Sequence, residues 1–491
     1  VVADALGYSG PALASEEDLT SLPDDAPTLL SLRLEMTIVR RVFRLGAWVI
    51  LAMLTQFFVN YFDTLMVGRL EPEVATASQA ALGLGMPVFW AVGGFFAAIG
   101  AGTQAITGRR FAERDEVAAG QVLFNSLCVG VAAGAFGSIF GWFATPIAVE
   151  ALASASPEQA ALGAEYTQIR MIGVAGMVIT FSYKAFFDGI GRTYVHLWAA
   201  LAMNVFNIGL NYLFIFGFEP LGIPRMELAG AGYASVTSTY LGLAIMMYVS
   251  ASGDCGERFQ IYRHRKLDRT VVWNIVKLLV PSGTATVILM AGFALFMYFV
   301  GQIDAQSGGT ANTYTAATKA IMDTAALCFM PAIAFGTATA TCVSQSLGAG
   351  KPNLAARYGW ESVRLGIYAM LVIGVVFMAI PEQIISVLAP NDPAVPKAAA
   401  TSMRMVTLSL PLMSVGLILA QALYGAGANV FVAVAEGILH FGVLVPLTWL
   451  LGPKLGYGME GVWFSAALYV SLLGIVMAAK FASKGWREIK L

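Results

Sequence analysis

Apolar residues run through this chain in blocks of about 20 or more, separated by short polar connections. At about 1.5 Å of rise per residue, a helical block of that length crosses the roughly 30 Å hydrocarbon core of a bilayer. The blocks predict twelve spans, near residues 45–68, 76–108, 117–146, 160–188, 194–217, 228–250, 271–300, 314–346, 355–380, 398–424, 430–451 and 460–482. The expected fold is therefore an all-α polytopic membrane protein. Inside the blocks, polar residues keep to one face. Gln56, Asn60 and Asp63 recur at i, i+4 and i+7 in the first span, and Asn204, Asn207 and Asn211 at i, i+3 and i+7 in the fifth. Asp63 is the one ionisable side chain between Leu45 and Gly68. A carboxylate at membrane depth costs about 3 kcal/mol even on lenient scales, so it points into a bundle or a wet cavity and marks an ion or substrate path. The alternative is a place among the outer headgroups, a short way before Arg69.

Composition narrows the function. Hydrophobic residues make up 58% and charged residues 12% of the 491, against about 25% charged in a soluble domain. A net charge of -1 and the lack of a Lys/Arg run argue against nucleic acid as a partner. The bilayer is the partner that this composition implies, and the chain is read as a monomer. Cys128, Cys255, Cys328 and Cys342 are scattered without CxxC spacing, which predicts neither a disulfide framework nor a metal site. The histidines are His196, His264 and His440; none stands in HExxH, and no GxSxG, Walker or EF-hand loop occurs. No enzyme and no cofactor are expected. A transporter without a nucleotide site must draw on an ion gradient.

Residues 1–27 read as an acidic, mostly disordered tail without the basic start and apolar centre of a signal peptide, and Thr28 to Arg44 as a short amphipathic helix on the membrane surface. Residues 45–250 and 271–482 form two lobes of six spans, joined by a charged loop at 251–270 and followed by a tail at 483–491. Lys and Arg at the two termini, in that loop and at alternate span ends far outnumber Arg69, Arg225, Lys397 and Lys454 on the other side. That asymmetry places both termini and the loop in the cytoplasm of a multi-pass cell-membrane (inner or plasma membrane) protein. Arg170-Met171 recurs as Arg404-Met405, Gly189-Ile190-Gly191 as Gly425-Ala426-Gly427, and Met226-Glu227 as Met459-Glu460, each pair at the same place in its half. Two pseudo-symmetric lobes around a central cleft follow, the plan of a transporter.

Counting along the helices, Asp63 lies about 28 Å into span 1 and Asn207 to Asn211 about 20 to 25 Å into span 5, so they can meet. The amides could then donate to the carboxylate or accept from the protonated acid; equally, Asn side chains glue helices together. Lys184 with Asp188, and Lys319 with Asp323, each stand at i and i+4. The first pair reads as a helix-end ion pair with a snorkelling lysine, the second as an ion pair or a cavity group. Glu436 and His440 repeat the spacing with a titratable imidazole. Arg170 and Arg404 read as interfacial anchors. Pro281, Pro331 and Pro411 lie inside apolar blocks and mark bends where a bundle could flex.

Several stretches carry a family resemblance: FVNYFDTLMVGRL (58–70), AITGRRFAERDEVAA (105–119), FFDGIGRT followed by NVFNIGLNYLFIFG, ELAGAGYASVTS (227–238) and FGTATATCVSQSLGAGKPNLAA (335–356). In order and spacing over residues 40–485, the chain resembles the multidrug and toxic compound extrusion (MATE) family. The resemblance implies twelve helices in two lobes, alternating access, and export of organic compounds driven by inward proton or sodium flow. It places Asp63 on the family's span 1 acid, and Asn207 and Asn211 on span 5 positions that archaeal-type members fill with Asn and Asp. The acid is missing at 211. Span 7, from Val271 to Gly301, has no acid where sodium-coupled members carry a glutamate, and Gly425-Ala426-Gly427-Ala428-Asn429 stands where they carry an aspartate. Asp323 could replace it, with Lys319 competing for its charge. The usual span 1 proline is replaced near Trp48. The expectation is proton-coupled export of an amphipathic, cationic organic solute, with sodium coupling, a lipid-linked precursor flippase, and a channel or receptor as alternatives.

Overall fold

In a computed structural model, which describes residues 22–27, 33–152, 157–306, 313–388 and 394–491, the chain is a succession of helices. They are α1 (Met36–Val67), α2 (Pro72–Ala97), α3 (Ile99–Ala112), α4 (Glu116–Leu152), α5 (Pro157–Ile172), α6 (Val174–Gly189), α7 (Tyr194–Phe216), α8 (Glu227–Ala251), α9 (Gly253–Phe259), α10 (Arg269–Gln306), α11 (Thr313–Gly348), α12 (Pro352–Ala379), α13 (Pro381–Leu388), α14 (Ala394–Ala426), α15 (Asn429–Leu439), α16 (Val445–Trp449) and α17 (Gly458–Ala482). Among the described residues, eleven helical stretches are long and apolar enough to cross a membrane; α5 and α6, bent by 47° at Gly173, make a twelfth if counted as one span. The protein is an all-α, multi-pass membrane protein.

Its burial pattern is inverted relative to a water-soluble bundle. On α7 the asparagines 204, 207 and 211 are buried while Val205, Phe206 and Tyr212 are exposed, and on α4 Phe136, Ile139, Phe143 and Ile147 face outward. Lipid tails do not penalise an exposed phenylalanine, whereas an amide there would lack a partner. Helix contacts are instead made by small residues. Where α14 crosses α11, a methyl group on Gly425 would lie 2.5 Å from the carbonyl oxygen of Ala340, so only glycine permits that approach.

The chain forms two compact units, one over residues 48–287 and the other over 23–47 and 288–491. In the first, α7 packs along α8, α2 along α5, and α4 along both α5 and α6. In the second, α14 is the central helix, packed along α11, α12 and α17. The boundaries fall within α1 and α10 rather than at the charged loop. That loop belongs to the first unit: α9 and its flank bury Cys255, Phe259 and Ile261 against Tyr183, Phe186 and Phe187, and burial pushes the Cys255 thiol up to about 12. Asn125 of α4 donates to the carbonyl of Lys266 and accepts from the N–H of Asp268. Asp268 caps α10, and the backbone N–H of Thr270, then of Val271, hold its carboxyl below the usual carboxylate range.

One expectation changes. Residues 36–44 are not a separate surface helix; Ile38 and Val42 are fully buried and α1 continues unbroken into the first span. Residues 28–32 lie outside the described residues, as does the tail before Leu22, although Asp24 accepts a hydrogen bond from the N–H of Leu354 at 2.7 Å and so caps α12. Pro281, Pro331 and Pro411 each lie within a single continuous helix. The breaks occur elsewhere, at Ala98, at Gly173 and at π-helical turns over His440–Leu444 and Leu450–Lys454.

Candidate functional site

The polar faces of α1 and α7 meet inside the first unit. Asn211, fully buried, donates from Nδ2 to Asp63 Oδ1 at 2.5 Å and to Asn207 Oδ1 at 2.9 Å. Asn207 donates onward to Ser235 Oγ of α8 at 3.5 Å. One turn earlier, Asn204 donates to Thr55 Oγ1 of α1 at 3.0 Å. The i, i+3, i+7 register of α7 sets these amides in one column, and the hydroxyls of α1 and α8 receive its ends.

A cation joins this column. Arg170, in the last turn of α5, donates to Tyr166 at 2.9 Å and to the same Ser235 Oγ at 3.4 Å, and its guanidinium stands 4.4 Å from the centre of the Phe89 ring. It lies within electrostatic reach of Asp63. Gly173 ends α5 with its N–H on the carbonyl of Arg170, so the guanidinium sits at the negative end of a broken helix. Arg170 is thus a member of the site, not an interfacial anchor, whereas Arg404, its counterpart in the repeat, is exposed.

Two amide oxygens complete the picture. Asn204 Oδ1 and Asn211 Oδ1 are buried without a hydrogen-bond partner among the described residues. As a carboxylate, Asp63 accepts from Asn211 Nδ2. As a neutral acid it must donate, and Asn211 carries the vacant acceptor beside the donor. The arrangement therefore offers a partner to either protonation state of Asp63, and the Asn211 oxygen is satisfied only when the acid is neutral.

The remaining candidates fall elsewhere. Gln56 is exposed, and the side chain of Asn60 lies outside the described residues. A cavity of about 300 Å³ lined by Tyr61, Thr64, Leu65, Gly68, Arg69 and Gln79 adjoins α1 but does not include Asp63. Lys184 and Asp188 pair at 2.6 Å with Asp188 1% exposed, so the pair is drawn into the first unit rather than snorkelling to water. Lys319 and Asp323 pair at 3.3 Å and are both exposed. Glu436 and His440 do not pair through their side chains: His440 Nδ1 lies 2.9 Å from the backbone oxygen of Glu436 and 3.1 Å from the hydroxyl of Tyr469. Among the described residues, no group of three or more His, Cys, Asp or Glu could hold a metal ion.

Comparison with known proteins agrees with this architecture. The MatE family model matches twice, over residues 49–213 and 281–450, which together make up more than half of the chain and reproduce the repeat. The probable multidrug resistance protein YoeA of Bacillus subtilis is 24% identical over 82% of this chain and 86% of its own. The multidrug resistance protein PmpM of Pseudomonas aeruginosa is 22% identical over 92% of each. A solved structure described as an outward-facing multidrug resistance MATE family transporter of the MOP superfamily superposes with a TM-score of 0.77 over 90% of this chain and 96% of that one, at 18% identity, a likeness of fold.

Proposed function

Because the chain belongs to the MATE family, a family of transporters and not of enzymes, we propose that it exports small amphipathic organic cations across the cell membrane in exchange for protons. Asp63 is the group that carries the proton. The observation that bears most of the weight is the column from Asp63 through Asn211, Asn207 and Ser235 to Arg170. Arg170 brings to the site the positive charge that a sodium ion would otherwise supply, and a second fixed cation beside it would be repelled. A proton adds no bulk, and the free oxygen of Asn211 stands ready for it. The same two free amide oxygens are what a sodium ion would seek, so a sodium gradient is the decisive control.

In this reading the termini and the loop at 251–270 face the cytoplasm, and one chain is the working unit. Coupling requires that the two access states differ in their affinity for the proton and for the solute. Proteoliposomes loaded with ethidium as the test cation should exchange it under a pH gradient at equal sodium. They should not do so under a sodium gradient at equal pH. Asp63→Asn should abolish the first result with the protein still inserted and folded; sodium-driven exchange at fixed pH would overturn the proton assignment.

A further inference from the structure

The acids on the helices of the second unit are not alike. Asp304 accepts from the backbone N–H groups of Tyr314 and Thr315 at 2.9 and 2.8 Å, Asp323 pairs with Lys319, and Glu361 pairs with Arg364. Glu436 has no counterpart to these: among the described residues, neither a cation nor a hydrogen-bond donor engages its carboxyl group, which lies seven residues, about 10 Å, into the span that begins at Asn429. An unpaired carboxylate at such depth is kept only where it meets a cavity or a ligand.

Two tyrosines stand near it. Tyr424 of α14 and Tyr469 of α17 both lie within electrostatic reach of it. His440, one turn further on, lies with its ring centre 4.4 Å from that of Tyr469, tilted at 59°, and is backed by Gly292 of α10, where a methyl group would come within 2.6 Å of the imidazole. The carbonyl of Glu436 can only accept, so the proton on His440 resides at Nδ1 and is shared with the Tyr469 oxygen. The Tyr469 hydroxyl proton is thereby left to donate elsewhere. The π-helical turn starts at His440 itself, the kind of local widening found where helices line functional sites.

We infer that Glu436, Tyr424, Tyr469 and His440 form a second binding site, which takes the positively charged end of an aromatic organic cation. Glu436 supplies the opposite charge, and the rings of Tyr424 and Tyr469 supply faces attractive to a delocalised cation. The inference rests on the proposed export of organic cations and goes further by placing the charged end of the cargo in the second unit, apart from the proton at Asp63.

Ethidium binding to the full chain in nanodiscs of neutral phosphatidylcholine, read by fluorescence anisotropy, tests it. Glu436→Gln should weaken binding by roughly tenfold or more, about 1.4 kcal/mol per decade. Glu436→Asp, which keeps the charge, should bind more tightly than the Gln variant; equal affinities for the two, or a wild-type affinity for Glu436→Gln, would overturn the site whatever their folding yields. Displacement of ethidium by sodium but not by equimolar potassium would reassign the cluster to an alkali metal ion and also overturn it. These affinities are equilibrium readouts and involve no pH gradient. Failure of pH-driven exchange in the wild type would therefore remove the proposed coupling without altering this result.

Discussion

The two units hold their unusual acids in opposite ways. Asp63 is enclosed in hydrogen bonds, with an amide on its carboxyl and an arginine at the far end of the same chain of contacts. Glu436 has neither, and Tyr424 and Tyr469 lie within electrostatic reach of it. At the 234-residue spacing of Arg170 and Arg404, Met297, Phe441 and Val445 occupy the places of Asp63, Asn207 and Asn211, and Tyr469 that of Ser235. Duplication supplied a common frame, and the chemistry then separated. An acid surrounded by neutral donors, a vacant acceptor and an internal cation is built to exchange a proton. An acid near two tyrosines, with no cation of its own, is suited to receive one from outside.

The largest effect should come from removing the first acid. Asp63→Asn keeps the shape and the contact with Asn211 but cannot ionise, and pH-driven ethidium exchange should fall to the level of empty liposomes. Next is Asn211→Ala, which deletes the donor to a charged acceptor, worth about 1.5–3 kcal/mol; the initial rate of pH-driven exchange should drop by roughly ten- to a hundredfold. A wild-type rate in that variant would make the asparagine column helix glue and dissolve the contrast between the units.

Arg170→Gln sharpens the comparison by making the first site resemble the second, an acid without an internal cation. Exchange under a sodium gradient at equal pH, absent in the wild type, should then appear at several times background, and Arg170→Lys should keep it out. If the Gln variant gains no sodium response, the guanidinium positions Tyr166 and Ser235 but does not select the ion.

The asymmetry between sites was only partly legible in the sequence. Asp63, Asn204, Asn207 and Asn211 stood out because a polar stripe on an otherwise apolar helix has no use toward lipid, and their spacing alone brings them to one face. Arg170 escaped, since an arginine near the end of an apolar run has the same local signature whether it anchors to headgroups or turns inward. The signal that separates the two is Gly173, which ends α5, together with Tyr166 one turn before. Ser235 carries no charge and announces nothing. Glu436 and His440 were visible as a pair, but the contact that defines their site is with Tyr469, 29 residues on and in another helix, and no periodicity reports that. The 47° bend falls at Gly173, which no proline marks; Pro281, Pro331 and Pro411 stay inside continuous helices, as a membrane helix can when its neighbours re-satisfy the groups a proline frees.

The smallest predicted effect is the most discriminating. Tyr469→Phe keeps the ring whose centre lies 4.4 Å from that of His440 and removes only the hydroxyl, whose hydrogen bond is worth about 1 kcal/mol. His440 Nδ1 still has the carbonyl of Glu436 at 2.9 Å, so the imidazole should hold its place and the fold should be unaffected. What is lost is one donor beside Glu436, and ethidium affinity should fall by roughly three- to tenfold. The pH at which exchange is half-maximal, read at saturating ethidium and set by Asp63, should not change. A shift in that pH would mean that both acids answer to one protonation event, and the division of labour between the units would have to be given up.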